Sequence, residues 1–207
     1  PGRHGIPRVK HFTAFLKNPA STPVYPKMKS NPTEEYYMDA YGWTPYVREF
    51  TTILKGERPD VLWYLFLKKE IIKEEKIRDS DIRQIVCADP IFTRIGASLE
   101  AHQNQLMKSK TRTAVGQCGW TPMQGGFKAT MQRLVSKGNN YFVEMDWTRY
   151  DGTIPTALFR HIKELRWKMI NKEQREMYAG VHKWFVDNLL NRYVLLPSGE
   201  VTIHTRG

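Results

Sequence analysis

Cysteine, long apolar runs and, over one extended stretch, acidic residues are scarce or missing in this sequence. Only two cysteines occur, Cys87 and Cys118, too few for a cysteine metal cluster and without the pattern of a secreted disulfide framework. No run of about eighteen apolar residues is present, so no transmembrane segment is predicted. The start, Pro1-Gly2-Arg3-His4-Gly5, has the features of neither a signal nor a transit peptide. Because an initiator Met is also missing, we expect a chain cut from something longer.

The charge is one-sided. Lys and Arg total 32 against 21 acidic residues, a formal charge of +11, and such a field makes nucleic acid the first partner to consider. Between Ala101 and Asn140 there are six cations and no Asp or Glu. Since a solvated surface mixes both signs, this stretch predicts a face laid against RNA phosphates, and a loosely ordered basic loop is the alternative. The predicted RNA-binding residues are Lys108, Lys110, Arg112 and Lys128.

Hydrophobic patterning predicts a mixed α+β fold. Residues 1–45 are rich in Pro and turn residues and predict irregular chain. Strands are predicted over residues 61–67, 83–88 and 141–147, with a hairpin over 193–204. Helices are predicted over residues 45–55, 91–108 and 172–191. A further helix, with Thr153 as N-cap, carries an apolar stripe suited to packing, formed by Leu158, Ile162, Leu165 and Met169.

Two acids frame the segment Asp146-Trp147-Thr148-Arg149-Tyr150-Asp151-Gly152-Thr153. Asp146, at the exit of a predicted strand, offers the oxygen ligand that Mg²⁺ needs, and two-metal sites use such ligands in phosphoryl transfer. Asp151, at the mouth of the next helix, is placed to accept a hydrogen bond from a ribose hydroxyl. Its alternative role is that of a helix-start acid favoured by the macrodipole. Spacing alone does not decide between the two, because about one residue in ten is acidic.

A second charged segment runs from Lys68 to Ile85 and holds six cations and five acids. Because its net charge is only +1, this segment is not a simple basic patch. One interpretation is an exposed hairpin or helix with internal ion pairs. The functional interpretation has a few cations projecting inward to neutralise a triphosphate, while the acids face water or hold the arms in place.

The order of these segments resembles that of the RNA polymerases of positive-strand RNA viruses: a Lys-x-Glu segment from Lys68, a basic ribbon ending in Arg83-Gln84-Ile85, and an Asp-x₄-Asp strand. Residues 146–155 and 195–202 are most similar to the astrovirus polymerases. The resemblance covers residues 67–207. It implies that Lys68, Lys76 and Arg83 bind nucleotide, with Lys69 and Lys73 as close competitors. It further implies that Asp146 is the catalytic metal ligand and that Asp151 is the catalytic, nucleotide-binding acid that senses ribose.

The same resemblance implies a partial right-hand polymerase of α+β class. Residues 1–137 would be fingers, including a fingertip ribbon at about 67–86. Residues 138–170 would be the first palm strand and helix, and residues 171–207 a fingers return and hairpin, with the thumb absent. The implied cofactor is Mg²⁺, with Mn²⁺ as a substitute. The implied partners are the RNA template and product strand, nucleoside triphosphates and other viral replication proteins, in membrane-associated complexes of the host cytoplasm.

The family's Ser-Gly loop and Gly-Asp-Asp hairpin do not occur within these residues. One Asp cannot hold two catalytic metals, so we expect this chain to be inactive by itself. Two other classes remain as alternatives. An aspartyl phosphatase would need a second acid two positions after its nucleophile, where Thr148 and Thr153 stand. A basic RNA-binding module with purely structural carboxylates would bind RNA independently of Mg²⁺ and of Asp146.

Overall fold

The computed structural model describes residues 12, 18, 20–138, 140–148 and 150–205, with the backbone alone at Asp151. The strands are β1 (Leu62–Leu67), β2 (Gln84–Cys87), β3 (Arg192–Leu195) and β4 (Val201–His204). The helices that carry the description below are α1 (Glu34–Tyr41), α2 (Thr44–Leu54), α3 (Glu74–Arg78), α4 (Pro90–Ser109), α5 (Gly126–Val135), α6 (Tyr150–Thr153), α7 (Thr156–Lys168) and α8 (Lys172–Leu190). The predicted α+β class is confirmed.

Internal contacts divide the chain into two compact units. The first comprises residues 1–99 and 151–207, and the second comprises residues 100–150. The sheet and the main core belong to the first unit. The predicted division into fingers, palm and fingers return describes a complete polymerase and stays a prediction.

One four-stranded sheet, in the order β2-β1-β3-β4, organises the first unit. Strands β1 and β2 are antiparallel, with Leu67 opposite Gln84. Strand β3 lies parallel to β1, with Trp63 opposite Val194. Strands β3 and β4 form the antiparallel hairpin predicted from the Pro-Ser-Gly turn. Its Gly199 has φ +95°, a left-handed conformation that glycine adopts without the Cβ clash.

The core covers one face of this sheet. Successive side chains of a strand point to opposite faces, and Trp63, Leu65 and Val194 are the buried ones. Helix α8 supplies Trp184, whose indole N–H donates to the carbonyl of Pro59 at 2.7 Å. The predicted strands at 61–67 and 83–88 and the predicted helices at 45–55, 91–108 and 172–191 are all confirmed.

Helix α1 lies within the stretch predicted to be irregular, so that part of the prediction was wrong. Thr33 is its N-cap and accepts a hydrogen bond from the Tyr36 backbone N–H. Two acids follow in the first turn, where they suit the helix dipole. A Thr followed by two Glu is a helix-start signal that the many nearby turn residues obscured.

The predicted strand over residues 141–147 was also wrong, because the chain there has no strand hydrogen bonds. The side chains of Tyr141, Val143 and Met145 are 81–90% exposed. β-Branched and aromatic residues favour a strand only where another strand pairs with them. None of the described segments pairs with this one, so its high β propensity is not realised.

The helix predicted after Asp151 forms in two pieces. Thr153 lies in the short helix α6, and α7 begins at Thr156 with Pro155 as N-cap. The predicted apolar stripe is present but exposed, by 45–77% at Leu158, Ile162, Leu165 and Met169. The opposite side of α7 instead packs on α8. None of the described helices is long and apolar enough to cross a membrane.

Candidate functional site

The charged segment predicted as a ribbon is an antiparallel arm. Strand β1 leads out and β2 leads back, and the ladder continues beyond the strands because the Lys68 N–H donates to the Arg83 carbonyl at 2.9 Å. Helix α3 lies between the two strands in the chain. Lys68 and Arg83, fifteen positions apart in sequence, therefore face each other across one ladder. We call residues 67–86 the ribbon.

One carboxylate joins these two cations. Glu70 Oε2 lies 2.6 Å from Lys68 Nζ, and Glu70 Oε1 lies 3.6 Å from Arg83 Nε. The hydrogen bond from Lys68, assisted by the positive charges of Lys68, Arg83 and Lys76, lowers the pKa of Glu70 below its ordinary value. Of the three predicted nucleotide-binding cations, Lys68 and Arg83 therefore contact this acid, and Lys76 acts on it only through its charge. From the sequence, the ribbon acids were expected to have only a general supporting role, and Glu70 did not stand out among them.

The third cation, Lys76, lies on helix α3 and is 3.4 Å from Asp81 Oδ2. Both side chains are more than half exposed. Between them the chain turns at Ser80, whose φ of 55° is unusual for a residue other than glycine. The competitors Lys69 and Lys73 form no ion pair within the part of the chain that the structure describes. Lys68, Lys76 and Arg83 therefore differ from Lys69 and Lys73 in forming ion pairs. Their spacing in the sequence did not reveal this difference.

The carboxylate of Asp146 lies in the second unit and is exposed. Its Oδ1 accepts a hydrogen bond from the backbone N–H of Trp147 at 2.9 Å. This local bond orients the side chain in place of the rigid strand end that the sequence predicted. The carboxylate is not sealed in an apolar interior and is open to a cation or to solvent.

Asp151 begins the return into the first unit, one residue into helix α6. Its side chain lies outside the described residues, so its ribose-sensing role stays a prediction. Two aromatic rings precede it, those of Trp147 and Tyr150, with centroids 6.5 Å apart.

A divalent metal suits Asp146 only as one ligand among several. A carboxylate oxygen is the hard donor that Mg²⁺ prefers. Over residues 20–138, 140–148 and 150–205, no three His, Cys, Asp or Glu side chains converge as a metal site. Asp146 therefore fits a metal site whose remaining ligands lie elsewhere.

The predicted RNA-binding cations are all exposed, but they differ in position. Lys108 lies in the last turn of α4, Arg112 in the following loop, and both line a cavity of the second unit. Lys110 and Lys128 do not line it. A cation that sequence inspection did not select, Arg133 on α5, does. Arg133 belongs to the same acid-free stretch. The sequence therefore indicated the region, but not which of its cations line a cavity.

Comparison with known proteins shows the family and the fold of the chain. A family model described as viral RNA-dependent RNA polymerase matches residues 22–207. Among solved structures, the chain is similar to the Sicinivirus 3Dpol RNA dependent RNA polymerase, with a TM-score of 0.73 and 18% identity. That match covers 100% of this chain and 48% of the other. At this identity it shows the fold alone.

Curated relatives are astrovirus non-structural polyproteins 1AB. The chain is 74% identical over 200 residues to that of Human astrovirus-5, covering 97% of this chain and 14% of the relative. It is 54% identical to that of Ovine astrovirus 1 and 42% identical to that of Avian nephritis virus 1. The chain thus spans about one seventh of the length of these relatives.

Proposed function

This chain belongs to the viral RNA-dependent RNA polymerase family, and we propose that the complete polymerase copies viral RNA by template-directed nucleotidyl transfer. The 3′-oxygen of the growing strand forms a bond to the α-phosphorus of an incoming nucleoside triphosphate and gives up its proton. The bond from that phosphorus to the bridging oxygen breaks, and pyrophosphate leaves. No nucleophilic side chain is needed, because positioning and electrostatics supply the catalysis.

The observation that supports the proposal is the pairing of two ribbon cations, Lys68 and Arg83, with the same carboxylate of Glu70. A carboxylate between Lys68 and Arg83 holds both side chains at one place on the arm. A triphosphate carries more negative charge than a single carboxylate and accepts several charge-assisted hydrogen bonds. We assign Lys68, Lys76 and Arg83 to the leaving phosphates, where they offset the charge that develops as pyrophosphate departs.

The two acids take separate roles. Polymerases of this family use divalent metal ions, and we assign Asp146 as one carboxylate ligand of Mg²⁺, with Mn²⁺ as a substitute. When bound, the metal supplies positive charge beside the phosphate oxygens. We assign Asp151 to the ribose 2′-hydroxyl. A site built to pair with that hydroxyl rejects a deoxynucleotide, because its own polar group is then left unpaired.

The basic stretch of the second unit is assigned to the RNA template and product strand. Its cations Lys108, Lys110, Arg112 and Lys128 are exposed, and its neighbouring sequence contains no acid to neutralise them. We place the polymerase in the host-cell cytoplasm, in membrane-associated complexes with other viral replication proteins. The residues present here supply a single metal-binding Asp, so the chain alone is expected to be inactive.

The test uses the complete polymerase in a primer-extension assay. Asp146→Ala should abolish RNA synthesis, while Glu144→Ala, which removes another exposed acid two positions away, should leave it within about twofold of the parent. Asp151→Asn should mainly weaken the preference for ribonucleotides over deoxyribonucleotides. Normal elongation by the Asp146→Ala enzyme would reject the assignment.

The ribbon has its own test. Lys76→Ala and Arg83→Ala should each raise the apparent KM for nucleotide, by about tenfold if each variant removes one charge-assisted hydrogen bond to phosphate. Lys69→Ala is the matched comparison, because the Lys69 side chain forms no ion pair in the described part of the chain. It also tests the competing assignment, in which Lys69 binds the nucleotide. If the KM is unchanged for both Lys76→Ala and Arg83→Ala, the ribbon is only scaffold.

A second candidate function is an RNA-binding module without catalysis. The acid-free basic stretch is the observation that favours it. This alternative predicts RNA affinity that is the same with and without Mg²⁺ and no synthesis by the complete protein. Measured incorporation of nucleotides by the parent polymerase would exclude it.

A further inference from the structure

We propose that the cavity of the second unit is a binding site for a single phosphate group of single-stranded RNA, with the neighbouring base lying against Trp120. The inference rests on the proposed function for its choice of RNA as the polyanion. It goes further in naming the residues that form the site, two of which, Trp120 and Arg133, had no assigned role.

The cavity lies entirely within residues 100–150. The last turn of α4, the loop that follows and helix α5 enclose a volume of ≈ 290 Å³. Pockets for small molecules span roughly 300–1,000 Å³, so this one suits a phosphate with part of its nucleotide rather than a larger ligand. Lys108, Arg112 and Arg133 reach it from the three different elements.

Charge within the cavity has one sign. No acidic residue lines it, and none occurs from Ala101 to Asn140. Over the described residues, none of these three cations forms an ion pair with a carboxylate. Most surface cations of a folded protein lie among acids, and here an incoming anion meets no competing carboxylate. Two of the three are arginines, whose planar fork suits the oxygens of a phosphate.

Contacts of the loop after α4 bring it close to Lys108, one of the cavity cations. The Thr111 hydroxyl donates to the Lys108 carbonyl at 2.7 Å and also to the carbonyl of Cys118, which ties the loop to the end of α4. Gly119 has φ +85°, and a Cβ there would lie 2.9 Å from Lys108 Cγ. Glycine thus allows the loop to approach the Lys108 side chain closely. The aliphatic part of the Lys108 side chain therefore lies against the loop.

Trp120 provides an aromatic surface at the same cavity. Its indole N–H donates to the Thr130 hydroxyl at 2.9 Å, which fixes the ring against α5. The side chain is 42% exposed, so part of the ring is open to solvent. An exposed aromatic ring beside a group of cations is the arrangement that binds unpaired nucleotides, because every base has a face to stack. A base in a duplex is already stacked, and this favours a single strand.

A phosphate ester next to a base also occurs in a free nucleotide. We choose the RNA strand because the same acid-free stretch contains further exposed cations, which a polymer of phosphates can contact and a single nucleotide cannot. The experiment separates the two sources by comparing an RNA strand with ATP.

The test uses two matched triple variants of the complete polymerase. The cavity variant is Lys108→Gln/Arg112→Gln/Arg133→Gln. The surface variant, Lys110→Gln/Lys128→Gln/Lys137→Gln, removes the same number of charges from the same stretch. It changes none of the residues that line the cavity. Affinity for a fluorescent twelve-nucleotide single-stranded RNA is measured by anisotropy in EDTA, over a series of salt concentrations. Circular dichroism confirms that each variant is folded.

We expect the surface variant, which loses outlying contacts to the strand, to bind several-fold more weakly than the parent, and the cavity variant to bind at least about tenfold more weakly than the surface variant. For each RNA phosphate that a variant no longer neutralises, the slope of log affinity against log salt should decrease by about 0.7. Trp120→Ala should weaken binding of the RNA strand by about tenfold but leave binding of an abasic strand unchanged, and Trp120→Phe should retain most of the affinity. Millimolar ATP should not displace the strand.

Equal weakening by both triple variants would overturn the proposal, since only the total charge of the stretch would then matter. Displacement of the strand by ATP through the cavity cations would assign the site to free nucleotide instead and would equally overturn it. These outcomes are independent of the polymerase assignment, because no metal or synthesis is involved. Failure of the Asp146→Ala test with retained cavity-dependent binding would reject catalysis and leave this site standing.

Discussion

A buried ion pair in the first unit gives the sharpest test of the structure. Glu34, in the first turn of α1, is fully buried, and its Oε1 accepts hydrogen bonds from Arg94 Nε at 3.1 Å and from the Tyr46 hydroxyl at 3.0 Å. Arg94 also donates to the Phe12 carbonyl at 3.1 Å. Burial, together with the negative charge of Glu34, raises the pKa of Tyr46, so its hydroxyl stays a donor. We predict that Glu34→Gln strongly destabilises this unit.

The magnitude follows from what the substitution leaves behind. Gln retains the shape and an acceptor oxygen, but Arg94, only 7% exposed, then loses the opposite charge of Glu34. Removing one partner of a buried pair costs about 3–5 kcal/mol. Because the amide oxygen still accepts a hydrogen bond, we expect about 3 kcal/mol. Tyr46→Phe removes one hydrogen bond to a charged group and should cost about 1.5–3 kcal/mol.

Glu35 is the matched control. It occupies the same first turn of α1 but is exposed. Glu35→Gln therefore loses only the interaction with the helix dipole, about 0.3–1 kcal/mol. Since Glu34→Gln loses the same dipole term, the difference between the two variants isolates the buried pair.

Native-state hydrogen exchange of β1 and α8 in the complete polymerase measures this difference, because amides of a core exchange by opening the unit that contains them. A cost of about 3 kcal/mol corresponds to roughly a hundredfold faster exchange in Glu34→Gln, against about fivefold or less in Glu35→Gln. Equal exchange rates in the two variants would refute the reasoning, because burial would then have contributed nothing.

Three further predictions concern other sites. Glu70→Gln should raise the nucleotide KM several-fold with less effect on kcat, since the ribbon cations lose their orienting carboxylate; single-nucleotide incorporation measures this, and an unchanged KM would contradict it. Gly96→Ala should lower the free energy of unfolding by about 1–3 kcal/mol, because its Cβ would lie 2.2 Å from the Phe185 ring. The thermal midpoint should fall accordingly, and an unaltered midpoint would show that the ring moves freely. Burial and the positive charge of Arg192 lower the pKa of His204, so the unfolded chain binds this proton first and stability should fall as pH drops below about 6.5. Urea unfolding at pH 7 and pH 5.5 should show a smaller loss for His204→Gln, and an identical loss would rule out this histidine.

Much of the first unit was predictable because its sequence patterns are local. The apolar segment at residues 61–67 and the helical pattern at 172–191 each contain enough information to form one element, and the turn at Pro197-Ser198-Gly199 sets the final hairpin. The order of the ribbon and the Asp-x₄-Asp segment was likewise sufficient to indicate the family that the comparison then showed. These conclusions do not depend on knowing the tertiary contacts.

The failures occurred where a segment depends on a partner distant in sequence. Residues 141–147 have strand-forming side chains, yet no described segment supplies their hydrogen-bonding neighbour. The stripe from Leu158 to Met169 has the correct helical spacing, but periodicity cannot say which face of α7 meets α8. The observed packing uses the opposite face.

By itself, the sequence determined most of the element types, the one-sided charge and the family, because these follow from residues close together in the chain. Only the tertiary structure decided that Glu70 joins Lys68 to Arg83, and that Arg133 rather than Lys110 or Lys128 shares a cavity with Lys108 and Arg112. The physical reason is that a charge acts over a few ångströms of space whatever the separation in sequence. Which of many similar cations form a site is therefore fixed by folding.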